Sequence, residues 1–267
     1  MVWRALVKLA YEGGHFNGFQ RQPGLRTVEG EVLRALKKIG AVRSVKDARF
    51  SGASRTDSGV SAIGNAVAFD TDFRRREMIR ALNAVSEEVY FYGIAEVPSG
   101  FSPRRARQRW YRYFLPGRGL DLEKVSECAS LFEGKHDFRM FCKGGERGTV
   151  RTVDSIEAFR VGDFIVADFR AREFLWNMVR RIVAAMSEVG RGRVSIAKIK
   201  EALSGREVSF GLAPAEHLIL MDVSYDLEFE TVCPSTLERK LRLARDLSFV
   251  RLALFDDLAD RSADGCQ

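Results

Sequence analysis

The sequence predicts an α+β fold made of two α/β units with mainly antiparallel strands, and three observations lead there. Strand-like and helix-like patterns alternate along the chain. The alternation halts at Pro98-Ser99-Gly100 and then starts again. Consecutive strand candidates are joined by turns such as Val161-Gly162-Asp163, too short for the crossover that a parallel pair requires.

In the first unit, residues 4–11 (RALVKLAY) read as a strand ending at Gly13-Gly14. Val28, Val32, Leu33, Leu36 and Ile39 fall at helical spacing behind Thr27, a capping residue. A strand over 65–70, a helix over 77–84 and a strand over 89–97 complete it. The second unit begins with a strand over 109–115 and a helix over 122–132. Strands over 153–160 and 164–172 follow. Leu175, Val179, Ile182, Val183 and Met186 line one face of a helix, and a helix over 195–203 and a strand over 219–225 close the unit. The expected organisation is therefore an N-terminal unit over 1–98, a C-terminal unit over 99–226 and a helical tail over 227–267. In the tail, Leu243, Leu247, Val250 and Leu254 make an apolar stripe, expected to pack against the body of the protein.

With 267 residues, 46% of them hydrophobic and 30% charged, the chain can bury a proper core and is globular rather than disordered. Its net charge of +7 suits a polyanionic partner. The four cysteines (Cys128, Cys142, Cys233 and Cys266) form no C-x-x-C pair and no zinc-ligand spacing with histidine, and read as reduced thiols. No apolar run reaches the roughly 18 residues of a membrane span, and the start of the chain lacks the apolar region of a signal peptide. Together these point to the cytoplasm.

Three stretches carry chemistry. Residues 50–64 (FSGASRTDSGVSAIG) are small and polar, with Arg55 and Asp57 at their centre. Such a carboxylate either closes a local turn or works on a ligand. Residues 101–118 hold six arginines (Arg104, Arg105, Arg107, Arg109, Arg112 and Arg118) and no acid, interleaved with Trp110, Tyr111 and Tyr113. On a strand, Arg109, Tyr111 and Tyr113 face one way and Trp110 and Arg112 the other. Guanidinium groups pair with phosphate and aromatic rings stack on unpaired bases, so the stretch suits RNA. In the third, residues 174–193, Arg180 and Arg181 sit on the shoulder of an otherwise apolar helix.

Taken together these stretches resemble the TruA family of tRNA pseudouridine synthases. Residues 11–23 (YEGGHFNGFQRQP) are similar to the family's opening Y-D-G-x-x-F-x-G-W-Q-x-Q-P, and Thr27-Val28-Glu29-Gly30 to its T-V-Q-G. Residues 53–62 (ASRTDSGVSA) resemble the signature A-G-R-T-D-A-G-V-H-A, and 109–113 (RWYRY) the R-x-Y-x-Y block. Residues 134–138 match G-x-H-D-F, 174–180 are similar to F-L-x-x-M-V-R, and Gly190-Arg191-Gly192 and Ala213-Pro214-Ala215 match later blocks. The order is the family's order from residue 11 to about 225. Ser54, Ser61, Phe19, Ala184 and His217 depart from the pattern.

The resemblance implies two ferredoxin-like (RRM-like) units joined in the pseudouridine synthase fold around a central, mainly antiparallel sheet. It implies Asp57 as the catalytic residue, Tyr111 as the ring that stacks on the target base and Arg180 as the partner of Asp57. It also implies a homodimer acting on uridines 38 to 40 of the tRNA anticodon stem-loop. Arg55 is expected to meet the RNA backbone or fill the space of the displaced base, and Arg104, Arg105, Arg107 and Arg109 to bind RNA.

The reaction breaks the C1′–N1 bond of uridine and joins C1′ to C5. No electrons are exchanged and no group is gained or lost, so no cofactor is expected, and the sequence carries no G-x-G-x-x-G, P-loop or H-E-x-x-H motif. A carboxylate can serve as nucleophile at the sugar carbon or as base at C2′, and either role requires it ionised. Two other readings compete. A catalytically inert RRM-like module would bind RNA without changing it. An aspartate-nucleophile hydrolase would use Asp70-Thr71-Asp72, but no lysine-bearing phosphate motif follows.

Overall fold

The computed structural model describes residues 1–144 and 148–264, of which 257–264 are described as backbone only; Cys266 lies outside them. In chain order the strands and helices are β1 (Trp3–Tyr11), α1 (Val28–Lys38), β2 (Ser51–Gly52), β3 (Ser61–Thr71), α2 (Arg75–Val85), β4 (Val89–Val97), β5 (Gln108–Pro116), α3 (Leu122–Ser130), β6 (Gly134–Asp137), β7 (Val150–Val161), β8 (Phe164–Ala171), α4 (Met178–Gly190), α5 (Ile196–Leu203), β9 (Leu218–Ser224), β10 (Glu230–Thr231) and α6 (Ser235–Asp264). The fold is mixed, as the alternating patterns predict.

One sheet runs through both halves of the chain in the order β10-β4-β1-β3-β9-β5-β8-β7-β6, with β2 paired to β3. Every pairing is antiparallel except β3 with β9, where Ser61 and Ala62 lie beside Ile219 and Leu220. The last strand of the second unit thus sits between β3 and β5 and joins the halves. Gly64 permits the approach: a Cβ there would stand 2.5 Å from the carbonyl oxygen of Met221. Lys8, 6% exposed, crosses the same seam and donates to Asp222 at 2.5 Å and to the Val223 carbonyl at 2.6 Å. Desolvation pulls its pKa down, while the bond and charge of Asp222 oppose that shift.

Local chemistry explains the helices. Thr27 caps α1 by accepting from the Gly30 amide at 3.3 Å, with Glu29 and Glu31 in the first turn and Lys37 and Lys38 in the last. Asn83, wholly buried on α2, bonds both backbone groups of Phe91 and so stitches the helix to β4. Gly162, at φ 54°, makes the tight hairpin between β7 and β8. Cys128 and Cys142 are buried. Asp70 ends its strand between Arg4, at 2.7 Å, and Arg49, at 2.6 Å, which accounts for its place without a hydrolase.

The tail departs from expectation. It opens with a short strand, β10, and continues as one helix, α6, on which Leu243, Leu247, Val250 and Leu254 are 59%, 60%, 63% and 62% exposed. Before the helix, β10 adds to the edge of β4, and at the root of α6 Leu237 is buried and Lys240 donates to the carbonyls of Asn83 and Ser86. The stripe read from the sequence exists but faces away from the protein, because four- and three-residue spacing specifies an apolar face and not what covers it.

Candidate active site

The loop after β2 carries Asp57 and is held from both sides. The Ala53 amide donates to the Ala66 carbonyl at 2.8 Å. The side chain of Asn65, fully buried, accepts from the Ser54 amide at 3.3 Å and donates to the Ser54 carbonyl at 3.0 Å. Tyr11 shares a 2.8 Å hydrogen bond with Thr56. The amide of Phe19 reaches the Thr56 carbonyl at 3.0 Å. A tight turn follows, where the Val60 amide returns to the Asp57 carbonyl at 3.2 Å and Gly59 takes φ 86°. A Cβ at Gly59 would stand 3.1 Å from the Cβ of Ala215, so glycine is required by both conformation and space. The opening motif and the signature thus meet as one unit.

From 123 residues away, Arg180 on the first turn of α4 places Nη1 3.0 Å from Oδ2 of Asp57. Its Nε donates to the Ala213 carbonyl at 2.8 Å, and the Ala213 amide returns to the Arg180 carbonyl at 3.2 Å. Tyr113 donates to the Pro214 carbonyl at 3.0 Å. The Ala213-Pro214-Ala215 block is therefore a wedge between the turn at Gly59, β5 and α4, and it aims the guanidinium. The pair is partly buried, with Arg180 14% and Asp57 24% exposed at the side chain.

Sequence reasoning missed a third member. The indole Nε1 of Trp176 lies 3.0 Å from Oδ1 of Asp57. Position 176 reads as a variable place between motif residues, and nothing in its spacing signals a partner for the loop. Asp57 thus receives one donor on each oxygen, one of them from a guanidinium that carries a fixed positive charge.

Tyr111 forms a wall of the site. It is buried, and its ring meets Phe174 edge to face at 5.4 Å between centroids. Its pKa is pushed up to about 12, chiefly by burial and also by the charge of Asp57, against the opposing pull of Arg109 and Ser54. At neutral pH the phenol therefore keeps its proton.

The basic stretch divides. Arg104, Arg105 and Arg107 are exposed, as is Arg55, which makes no ion pair among the described residues. Arg105 and Arg107 line a cavity of about 420 Å³ together with Arg172 and Tyr225. Arg109 differs from the RNA contact expected of it. It is 8% exposed and donates to Ser54 Oγ and the Ala53 carbonyl, each at 2.9 Å, and to the carbonyls of Arg104 and Arg172. It fastens the Asp57 loop to β5. Arg112 grips Asp168 with two bonds of 2.7 and 2.8 Å and lies over Trp110. Alternation placed both arginines on the correct faces, but a face pointing away from solvent is invisible in a count of charges.

Residues 128–226 match the family described as "tRNA pseudouridine synthase". The chain is 47% identical to tRNA pseudouridine synthase A of Pyrococcus abyssi, over 85% of this chain and 86% of that protein. Its counterpart in Thermococcus onnurineus is 40% identical over 96% of this chain and 98% of its own length, so the likeness there extends into the tail. That of Methanosarcina barkeri is 39% identical over 86% and 87%.

Proposed function

The chain belongs to the family of tRNA pseudouridine synthases, and on that premise we propose that Asp57 is the carboxylate that meets the sugar of the target uridine. The enzyme isomerises uridine to pseudouridine in tRNA. The observation that carries the assignment of Asp57 is its 3.0 Å pair with Arg180, formed between loop and helix across 123 residues and bordered by Tyr111. The N-terminal unit (1–98) supplies the carboxylate. The C-terminal unit (99–226) supplies the guanidinium and the aromatic wall.

The uridine leaves its stack to reach Asp57, at a cost of a few kcal/mol. Contact with Tyr111 offsets about 1–3 kcal/mol of that. Arg55, exposed beside Asp57, holds the RNA backbone or the space left by the base. Arg104, Arg105 and Arg107 grip phosphates, and the substrate positions are uridines 38 to 40 of the anticodon stem-loop. The decisive experiment uses tRNA tritiated at C5 of uridine. Release of label with product at positions 38 to 40 is the expected result; retention of all label would remove the assignment.

Two further outcomes follow. Tyr111→Phe keeps tRNA affinity within about twofold, whereas Tyr111→Ala weakens it about tenfold, as loss of one base stack implies; equal affinities in a filter-binding assay would place the ring away from the base. Alanine at Arg104, Arg105 and Arg107 together weakens binding and flattens the plot of log affinity against log salt by roughly 0.7–0.9 for each phosphate no longer neutralised. An unchanged slope would move the RNA elsewhere.

The cytoplasm, where tRNA is found, is the proposed location; no helix among the described residues is long and apolar enough to cross a membrane. The exposed stripe of α6 supports a homodimer. Its first half (235–249) carries four basic and two acidic residues, and its second half (250–264) four acidic and two basic; of the basic ones Lys240 is already engaged by the body. Two copies laid antiparallel set each basic half against an acidic one while covering both stripes. Leu247→Asp with Val250→Asp, both at exposed positions, halves the particle mass measured by light scattering; an unaltered mass places the subunit contact elsewhere.

A further inference from the structure

We propose that Trp176 is a positioning residue for the reaction, acting through its indole N–H on Asp57. The inference rests on the assignment of Asp57 made above. A carboxylate held at one oxygen by Arg180 is still free to turn about its Cβ–Cγ bond. The second donor, from a different direction and on the other oxygen, fixes that rotation. Each oxygen retains a second lone pair, so both donors stay in place while the sugar approaches. A nucleophile or base held within a narrow angular range reacts faster without binding substrate more tightly.

The surroundings of Trp176 are built for this. Leu175 and Met178 on either side are buried and anchor the backbone in the core. Asn177 adopts φ 62°, a left-handed conformation rare for residues other than glycine, and so turns the chain sharply into α4. The Lys143 amide donates to the Trp176 carbonyl at 2.9 Å, and Lys143 Nζ lies over the indole ring, 4.3 Å from its centroid. The backbone is thus fixed and one ring face covered, yet the residue is 53% exposed. A tryptophan this exposed contributes little to the core. Its fixed contact with a carboxylate is what its placement achieves.

The test separates three roles. Trp176→Phe keeps the aromatic ring and removes the N–H. The expected result is a kcat about tenfold lower under saturating tRNA, with tRNA affinity within twofold. Unchanged kcat overturns the proposal, and so does a loss of affinity that matches the loss of activity, since that marks a stacking surface. A second readout needs no activity. Protein labelled with ¹⁵N-tryptophan gives indole N–H signals from Trp3, Trp110 and Trp176, the last identified by its disappearance in Trp176→Phe. Asp57→Ala shifts that one signal and leaves the other two. A signal that does not move denies the hydrogen bond. If Asp57→Asn is inactive while Trp176→Phe is fully active, this inference falls and the role of Asp57 stands. If Asp57→Asn is active, the role of Asp57 falls while the indole signal still reports the contact.

Discussion

Asp57→Asn lowers pseudouridine formation by about 10⁴-fold or more, the scale on which an essential nucleophile or base acts, while tRNA affinity stays within about threefold. The separation follows from the geometry. Asparagine keeps the size of the side chain and an oxygen that accepts from Trp176. It loses the negative charge that either chemical role requires. The loop does not depend on that charge for its shape: Ala53, Ser54, Thr56 and Val60 are fixed by bonds to Ala66, Asn65, Tyr11, Phe19 and the Asp57 backbone. The exposed arginines of the 101–107 segment are equally untouched. Tritium release from C5-labelled tRNA gives the activity, filter binding gives the affinity, and thermal unfolding shows that the fold survives. Affinity falling in step with activity would make Asp57 a binding residue.

What the sequence disclosed follows from the range over which its signals act. Period-two alternation in residues 109–115 located β5 and sorted its side chains by face, and Thr27 with the apolar spacing behind it located α1. Both are local patterns. The insertion of β9 between β3 and β5 is not, because nothing in residues 218–224 encodes which strands they will lie beside. The same limit governs the site. Asp57 stands in a small polar loop, where a ligand-facing carboxylate is legible. Arg180 on an apolar helix becomes legible only through resemblance. Trp176 carries no signal, since its contact depends on the turn at Asn177 and on a loop more than 100 residues earlier. Arg109 misled for a related reason. Among six arginines it looks like one more phosphate contact, yet its guanidinium binds four groups of its own protein.

Arg180→Met lowers kcat by about 10²–10³-fold, the usual cost of removing one fixed donor from a charged site, and leaves tRNA affinity within about twofold. Arg180→Lys recovers only part of the loss. The wild-type guanidinium donates from Nε to the Ala213 carbonyl at 2.8 Å and from Nη1 to Asp57 at 3.0 Å, with a longer 3.5 Å bond from Nη1 to Asn177 Oδ1. The first aims the second. An ammonium group supplies the charge without the fork, so it cannot satisfy the carbonyl and point at the carboxylate in that geometry. It also leaves the Ala213 carbonyl without its partner beside the turn at Gly59. Stability provides an independent check through the double-mutant cycle with Asp57→Asn. Arg180→Met destabilises wild type more than it destabilises the Asp57→Asn protein, because only the former is left with a partly buried unpaired carboxylate. Full activity in Arg180→Lys would reduce the role of Arg180 to charge alone. Activity and affinity falling together would recast it as a phosphate contact, and the pairing with Asp57 would then belong to the free protein only.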